Sequence, residues 1–204
     1  MYICIEGNIG AGKTTLAKVL AKKLHASFLG ERFEENTLLP LFYAKPKTFA
    51  FPTEYSFLID RQKQLVSYFK SVSKTTSTVS DFHFDKCICF AKANLSSTDF
   101  SFFKKHFKAI QKTVPVPDLI VYLTASPDLL MKNIRKRGRV IEKDMKQEYL
   151  ENLKKTLDAY YMRKQKTGTF VLVIPVNEYT DATISNSVAL IKKTMRTLKP
   201  KKEI

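Results

Sequence analysis

The 204-residue chain lacks the marks of several protein classes. It has only three cysteines, Cys4, Cys87 and Cys89, an odd number without disulfide spacing. That excludes a disulfide-stapled secreted scaffold and leads us to expect a reducing, cytoplasmic setting. Cys87-Ile88-Cys89 has no companion His or Cys, so it reads as packing and not as a metal site. No apolar run reaches the ~18 residues a membrane span requires, and no membrane partner is expected. No signal peptide is recognisable; the chain starts directly in an apolar strand pattern. No internal repeat appears. Acidic residues are few, 19 Asp and Glu against 35 Lys and Arg, for a net charge of +16. Such a balance suits a nucleic-acid binder or a protein with polyphosphate substrates. The cations are mostly lysines spread along helical segments (Lys70, Lys104, Lys108, Lys192), without a tight arginine–aromatic cluster. They read as a solvated face, and nucleic acid is not the expected partner. The length and the 44% hydrophobic content fit one domain, residues 1–204, with a full core and room for a lid.

Glycine is scarce as well, six in all, and three of the six fall at positions 7, 10 and 12. The opening MYICIEGNIGAGKTT matches G-x-x-x-x-G-K-[ST] through Gly7, Gly12, Lys13 and Thr14. Tyr2–Glu6 is a short apolar run of the kind a buried parallel strand shows. Leu16, Val19, Leu20 and Leu24 recur at helical spacing after it. Strand, glycine loop and helix are the context in which this motif binds phosphate. Gly7, Gly10 and Gly12 allow the backbone to approach an anion. The N–H groups of Gly7, Asn8, Ile9, Gly10, Ala11, Gly12, Lys13, Thr14 and Thr15 then face phosphates with the positive end of the helix. Lys13 supplies a cation, and the Thr14 hydroxyl suits Mg²⁺. The partner expected here is a nucleoside triphosphate.

Further along, short apolar strands alternate with helices. Strands are predicted at 25–30, Thr78–Asp81, Asp118–Leu123 and Phe170–Val176. Helices are predicted at 35–44, 53–72, Lys86–Leu95, Thr98–Lys112, Pro127–Arg137, Glu148–Lys166 and Ser185–Leu198. Pro46 and Pro52 are read as chain breaks. Ser126 is read as an N-cap. The alternation predicts an α/β fold, a P-loop parallel sheet with helices on both faces. In such sheets ligands sit beyond the carboxyl ends of the strands. That gathers the glycine loop, Glu31, Asp81 and the loop after Val176 around one cleft.

Three groups in that cleft carry chemistry. Glu31 is placed to take a proton from an attacking hydroxyl, or is merely an acid at a helix start. Asp81 is placed near Mg²⁺ beside Thr14, or caps a strand end. Arg135, Arg137 and Arg139, at a helix end and on a Gly138-hinged loop, form an arginine-bearing lid over phosphates at about 135–147. Their alternative is favourable placement at a helix C-terminus.

The chain resembles the deoxyribonucleoside kinases, including bacterial deoxyadenosine and deoxyguanosine kinases. The resemblance rests on IEGNIGAGKTTLA, on Glu31 followed by NTLLPLFY, on FAFPTEYSFLIDRQKQ, and on PDLIVYLTASPDLLMKNIRKRGR with Glu142. It implies transfer of phosphate from ATP, with Mg²⁺, to the 5′-hydroxyl of a deoxynucleoside, deoxyadenosine first, in nucleotide salvage. Glu31 matches the general base, Tyr43 and Glu142 the residues on the sugar 3′-hydroxyl, and Arg61 and position 54 the base-facing side. Arg137 and Arg139 match the lid arginines, and Asn177–Thr180 falls where the donor adenine is held. A homodimer is also implied; the apolar face of Phe57, Leu58 and Leu65 serves either as its interface or as core.

Two positions depart from the family pattern. Glu54 stands where Gln is usual, and an ionised Glu only accepts hydrogen bonds whereas Gln also donates. Arg61, seven residues along, is the expected partner that offsets its burial. Asp81-Phe82-His83 replaces Asp-Arg-Ser, removing a cation from beside Glu31, with His83 or Lys86 as candidate substitutes. Two other readings stay open. One is a nucleoside monophosphate kinase using Lys45, Lys47 and Arg61 on the acceptor phosphate. The other is a catalytically altered nucleotide- or nucleic-acid-binding relative.

Overall fold

The structure, a computed structural model, describes residues 1–167 and 169–198. Five strands, β1 (Tyr2–Gly7), β2 (Ser27–Leu29), β3 (Thr78–Ser80), β4 (Leu119–Ala125) and β5 (Val171–Val176), pair in parallel in the order β2-β3-β1-β4-β5. Eight α-helices cover them among the described residues: α1 (Lys13–Leu24), α2 (Leu39–Ala44), α3 (Pro46–Ser71), α4 (Lys86–Asn94), α5 (Ser97–Gln111), α6 (Pro127–Arg137), α7 (Gln147–Lys166) and α8 (Asp181–Thr197). Single 3₁₀ turns lie at Phe33–Glu35 and Val140–Glu142.

Strand parity explains why the strands show no polar alternation. Tyr2 and Cys4 of β1 and Ile120 and Tyr122 of β4 enter one core, packed with α3, α4, α5 and α7 through Leu58, Leu65, Phe103, Phe107, Leu153 and Leu157. Ile3, Ile5, Leu119, Val121 and Leu123 enter the other, packed with α1, α6 and α8 through Leu16, Leu20, Leu130, Ile134, Val188 and Ile191. Both faces are covered by helices, so most strand positions are apolar; Glu6, Thr78 and Ser80 are buried exceptions whose side chains are hydrogen-bonded. The expected α/β sheet with helices on both faces is what forms. Phe57, Leu58 and Leu65 are 8%, 0% and 0% exposed, which makes that face of α3 core and not an interface. Cys4, Cys87 and Cys89 are free and buried, as packing residues.

Three predicted helix starts need correction. α2 begins at Leu39, not at 35, with Pro40 in its first turn. α3 begins at Pro46, not at 53, and runs through Pro52. Pro46 occupies the first helical turn, where its missing N–H costs nothing. Pro52 has no N–H to return to the carbonyl of Thr48 and should disfavour the helix. Burial overrides it: Ala50, Thr53, Glu54 and Phe57 are all buried on one face, and Ala50 and Phe57 pack with Leu39 and Phe42 of α2. α8 starts four residues before the predicted Ser185, because Thr180 and Thr183 cap each other reciprocally. A Thr-x-x-Thr pair lacks the Glu or Gln that usually signals such a box.

Pro52 is exposed, so its ring packs against little. Pro52→Ala restores an N–H to α3 and is expected to raise unfolding free energy by roughly 1–3 kcal/mol in urea titration. A loss of stability would show that the helix depends on the proline.

Candidate active site

The loop between β1 and α1 is shaped by backbone that only glycine adopts readily. Gly10 and Gly12 have φ of 81° and 75°. A Cβ on Gly12 would lie 2.1 Å from Tyr179 Cε1, so the loop also closes tightly on the segment after β5. The side chain of Asn8 is turned inward. Its Nδ2 donates to the Leu150 carbonyl at 2.8 Å, and its Oδ1 accepts from the Ile9 N–H at 2.8 Å. Asn8 therefore fixes the loop against α7. Lys13 Nζ donates to the Asn8 carbonyl at 2.8 Å. Burial, with the Lys86 cation nearby, brings the Lys13 ammonium down to about 8.

Asp81 joins the loop to the rest of the cleft. Its Oδ2 accepts from the Thr14 hydroxyl at 2.5 Å and its Oδ1 from the Glu31 N–H at 2.8 Å. Thr14 and Asp81, expected together, are together. Deeper down, the Glu6 carboxylate accepts from the N–H groups of Gly7 at 2.8 Å and His83 at 2.9 Å. It thus holds the exits of β1 and β3 in register.

Glu31 lies just beyond β2, its side chain 9% exposed. Arg61 Nε and Nη2 approach Oε1 at 2.8 and 2.6 Å, and Lys86 Nζ approaches Oε2 at 2.8 Å. Burial would raise the carboxyl, but Lys86 and then Arg61 outweigh it and hold Glu31 well below the usual carboxylate range. Lys86 thus stands in for the cation missing at Phe82. His83 does not; it is buried, 3.2 Å from the Tyr161 hydroxyl, and burial lowers its imidazole to about 4.

Glu54 contradicts the expected Arg61 pairing. Arg61 is committed to Glu31 and donates through Nη1 to Cys87 Sγ at 3.2 Å. Glu54 Oε1 instead accepts from Asn94 Nδ2 at 2.7 Å, and its Oε2 is buried without a hydrogen-bond partner. Asn94 also donates to the Tyr149 hydroxyl at 3.3 Å.

These residues line one cleft with a cavity volume of about 100 Å³. Lys13, Thr14, Glu31, Tyr43, Glu54, Arg61, Asp81, Arg137, Arg139 and Glu142 all face it, and Phe33, Phe57 and Phe90 supply aromatic walls. Arg137 grips Glu142 with Nε to Oε2 at 2.8 Å and Nη2 to Oε1 at 2.5 Å. Arg139 lies over the Phe33 ring at 4.4 Å and 3.7 Å from Glu142. Two expected residues are not brought into the cleft. Arg135 is exposed and lines an adjoining groove on the other side of Arg139 and Glu142, which border both. Asn177 is exposed, and the groove beside Gly12 and Thr15 is lined by Glu178 and Tyr179 instead. The sequence reading missed Asn94 and Tyr149, neither of which carries a motif, and did not single out Tyr179 within the Asn177–Thr180 stretch. It also missed Asn133, whose Nδ2 donates to the Gly10 carbonyl at 2.9 Å; that Asn lies inside the quoted KNIRKRGR block.

Comparison with known proteins leads to one family. The family model for deoxynucleoside kinase covers residues 3–198. A deoxyguanosine kinase of Bacillus subtilis is 34% identical over 177 residues, 86% of each chain. A deoxyadenosine kinase of Dictyostelium discoideum is 32% identical over 179 residues, 86% of this chain and 71% of its own. A solved deoxyadenosine kinase of M. mycoides superposes with a TM-score of 0.81 at 27% identity, covering 97% of this chain and all of its own.

Lys86→Met removes one of the two cations on a nearly buried carboxylate. We expect a loss of about 3 kcal/mol, the low end for breaking a buried pair, because Arg61 remains. Urea unfolding measures it, and a change under about 0.5 kcal/mol would mean that Lys86 is not needed to offset Glu31's burial.

Proposed function

The chain belongs to the deoxynucleoside kinase family, and we propose that it transfers the γ-phosphoryl group of Mg²⁺-ATP to the 5′-hydroxyl of a purine deoxynucleoside in nucleotide salvage. Family membership makes it an enzyme, a phosphotransferase acting on an alcohol group. The observation that carries the residue assignments is the placing of Glu31, Lys13, Thr14, Asp81 and the two lid arginines on one cleft. We read the chain as a single kinase domain whose lid spans about 135–147. A cytoplasmic homodimer is also part of the proposal; among the described residues no helix is long and apolar enough to cross a membrane.

The chemistry follows from the contacts. Of the Gly7–Thr15 N–H groups expected on the phosphates, those of Gly7, Ile9 and Ala11 are already given to Glu6, the Asn8 side chain and the Asn8 carbonyl. ATP phosphates would lie on those of Gly10, Gly12, Lys13, Thr14 and Thr15, with Lys13 Nζ leaving the Asn8 carbonyl for them. Thr14 and Asp81, hydrogen-bonded to each other at 2.5 Å, would part slightly to hold Mg²⁺ through two hard oxygens. Bound there, the ion would neutralise charge between the β- and γ-phosphates. Glu31 would accept the hydrogen bond of the 5′-hydroxyl and orient it in line. Its low basicity is no obstacle, because the phosphoryl transition state is loose and needs positioning more than early proton removal. Tyr43 and Glu142 would take the sugar 3′-hydroxyl. As that hydroxyl engages Glu142, Arg137 is freed to join Arg139 on the moving phosphoryl group. Phe57 and Phe90 would flank the base.

The monophosphate reading loses its support in this geometry. Arg61 is committed to Glu31, and Lys45 and Lys47 are exposed and do not line the cleft. The proposed partners are ATP and a deoxynucleoside, not nucleic acid.

ADP release with Mg²⁺-ATP and each of the four deoxynucleosides tests the reading; silence with all four would overturn it. Glu31→Gln is expected to lower kcat roughly 10²–10⁴-fold while ATP still binds. Unchanged turnover would remove Glu31 from the chemistry. The pH profile of kcat/KM for ATP should fall by up to about tenfold per unit above pH 8, where Lys13 loses its charge. No acid limb from Glu31 is expected between pH 5 and 7, since its carboxyl stays ionised there.

A further inference from the structure

Glu54 is 3% exposed on α3 and lines the cleft beside Phe57 and Phe90. Its Oε1 is held by Asn94 Nδ2 at 2.7 Å, and its Oε2 meets no donor. A buried acceptor left open in a binding cleft is matched when a ligand supplies the donor. Each carboxylate oxygen carries two lone pairs, so Oε1 retains one acceptor position beside the wholly open Oε2. Ionised, Glu54 offers two neighbouring acceptors. Protonated, it offers one donor and one acceptor. Guanine presents two neighbouring donors, N1–H and N2–H₂, on one edge. Adenine presents one donor, N6–H₂, and one acceptor, N1.

We propose that the protonation state of Glu54, clamped by Asn94 at the position the family turns toward the base, selects the purine: the carboxylate takes guanine and the carboxylic acid takes adenine. This rests on the deoxynucleoside acceptor proposed above. Burial brings the Glu54 carboxyl up to about 7, against the opposing pull of Asn94, Arg61 and Lys86. The choice of purine therefore falls within the physiological range.

The groups facing Glu54 do not share that titration. On α2, burial raises the Tyr43 hydroxyl far above neutrality. On α7, burial does the same to Tyr149. On α4, the Cys87 thiol is raised to about 11, Asn94 does not titrate, and Lys86 is bound to Glu31. On α3 itself Arg61 stays charged, and Glu31 after β2 stays ionised. Lys13 titrates near 8, but on the phosphate side, where it serves both purines alike and cancels from their ratio.

The test is the ratio of kcat/KM for deoxyguanosine to that for deoxyadenosine between pH 6 and 8.5. The expected ratio rises with pH, by up to about tenfold per unit through pH 7, because one substrate uses the ionised and the other the protonated form. Glu54→Gln, which both donates and accepts at any pH, is expected to flatten the dependence. Calorimetry on the unaltered enzyme at pH 7, in buffers of different ionisation enthalpy, gives a check independent of the variant. Deoxyguanosine should bind with proton release and deoxyadenosine with proton uptake. A flat ratio with both substrates turned over, or proton exchange of the same sign for both, overturns this proposal and leaves the kinase reading standing. Silence with every deoxynucleoside would overturn the acceptor reading and this proposal together.

Discussion

Arg61 and Lys86 close on the two oxygens of Glu31 at 2.6 and 2.8 Å, in a place where water barely reaches. A carboxylate taken out of water needs charge compensation close by, and here it is doubled. The consequence reaches well beyond one residue. Arg61 sits on α3 and Lys86 opens α4, so the pair ties two helices to the loop after β2. Asp81 accepts the backbone N–H of Glu31 and the hydroxyl of Thr14, which carries the tie into the phosphate loop. Acceptor side and donor side are thus one hydrogen-bonded network, and a shift in either is felt in the other.

That network also explains a distribution of cations that composition alone leaves puzzling. Most of the excess positive charge is solvated lysine. The cations that matter here each lie against an acceptor: Arg61 and Lys86 on Glu31, Arg137 on Glu142, Lys13 on a carbonyl. Each is satisfied internally, because the cleft sets the carboxylates Glu31, Glu54, Asp81 and Glu142 among its cations. Each is also placed where a substrate group can compete for it.

Much of this was legible in the sequence, and the parts that were not share a cause. The P-loop, the parallel sheet and the gathering of Glu31, Asp81 and the lid arginines Arg137 and Arg139 follow from motifs and from strand ends, which are local signals, whereas Tyr43 and Glu142 enter as sugar contacts only through the resemblance to the family. Contacts between side chains far apart in sequence have no such signal. Nothing local says that Arg61 turns to Glu31, 30 residues away, and not to Glu54, seven residues away on its own helix. Asn94 on Glu54, Tyr179 over Gly12 and Asn133 on the Gly10 carbonyl are of the same kind. The start of α3 was missed for the opposite reason: a strong local signal, Pro52, was outweighed by burial of the helix face around it.

The two departures from the family pattern turn out to be unlike in kind. At Phe82 the missing cation is recovered from the next helix: Phe82 is fully buried as core, and Lys86 reaches the same carboxylate from α4. The carboxylate keeps its charge compensation by a different route. At Glu54 nothing recovers the lost donor. Arg61 is already committed, Asn94 donates to one oxygen only, and the other is left open in the cleft. A compensated change preserves function, whereas an uncompensated one in a binding surface is where function can differ between relatives. The difference between this chain and its relatives is therefore expected in which base it accepts, and not in how it moves a phosphoryl group.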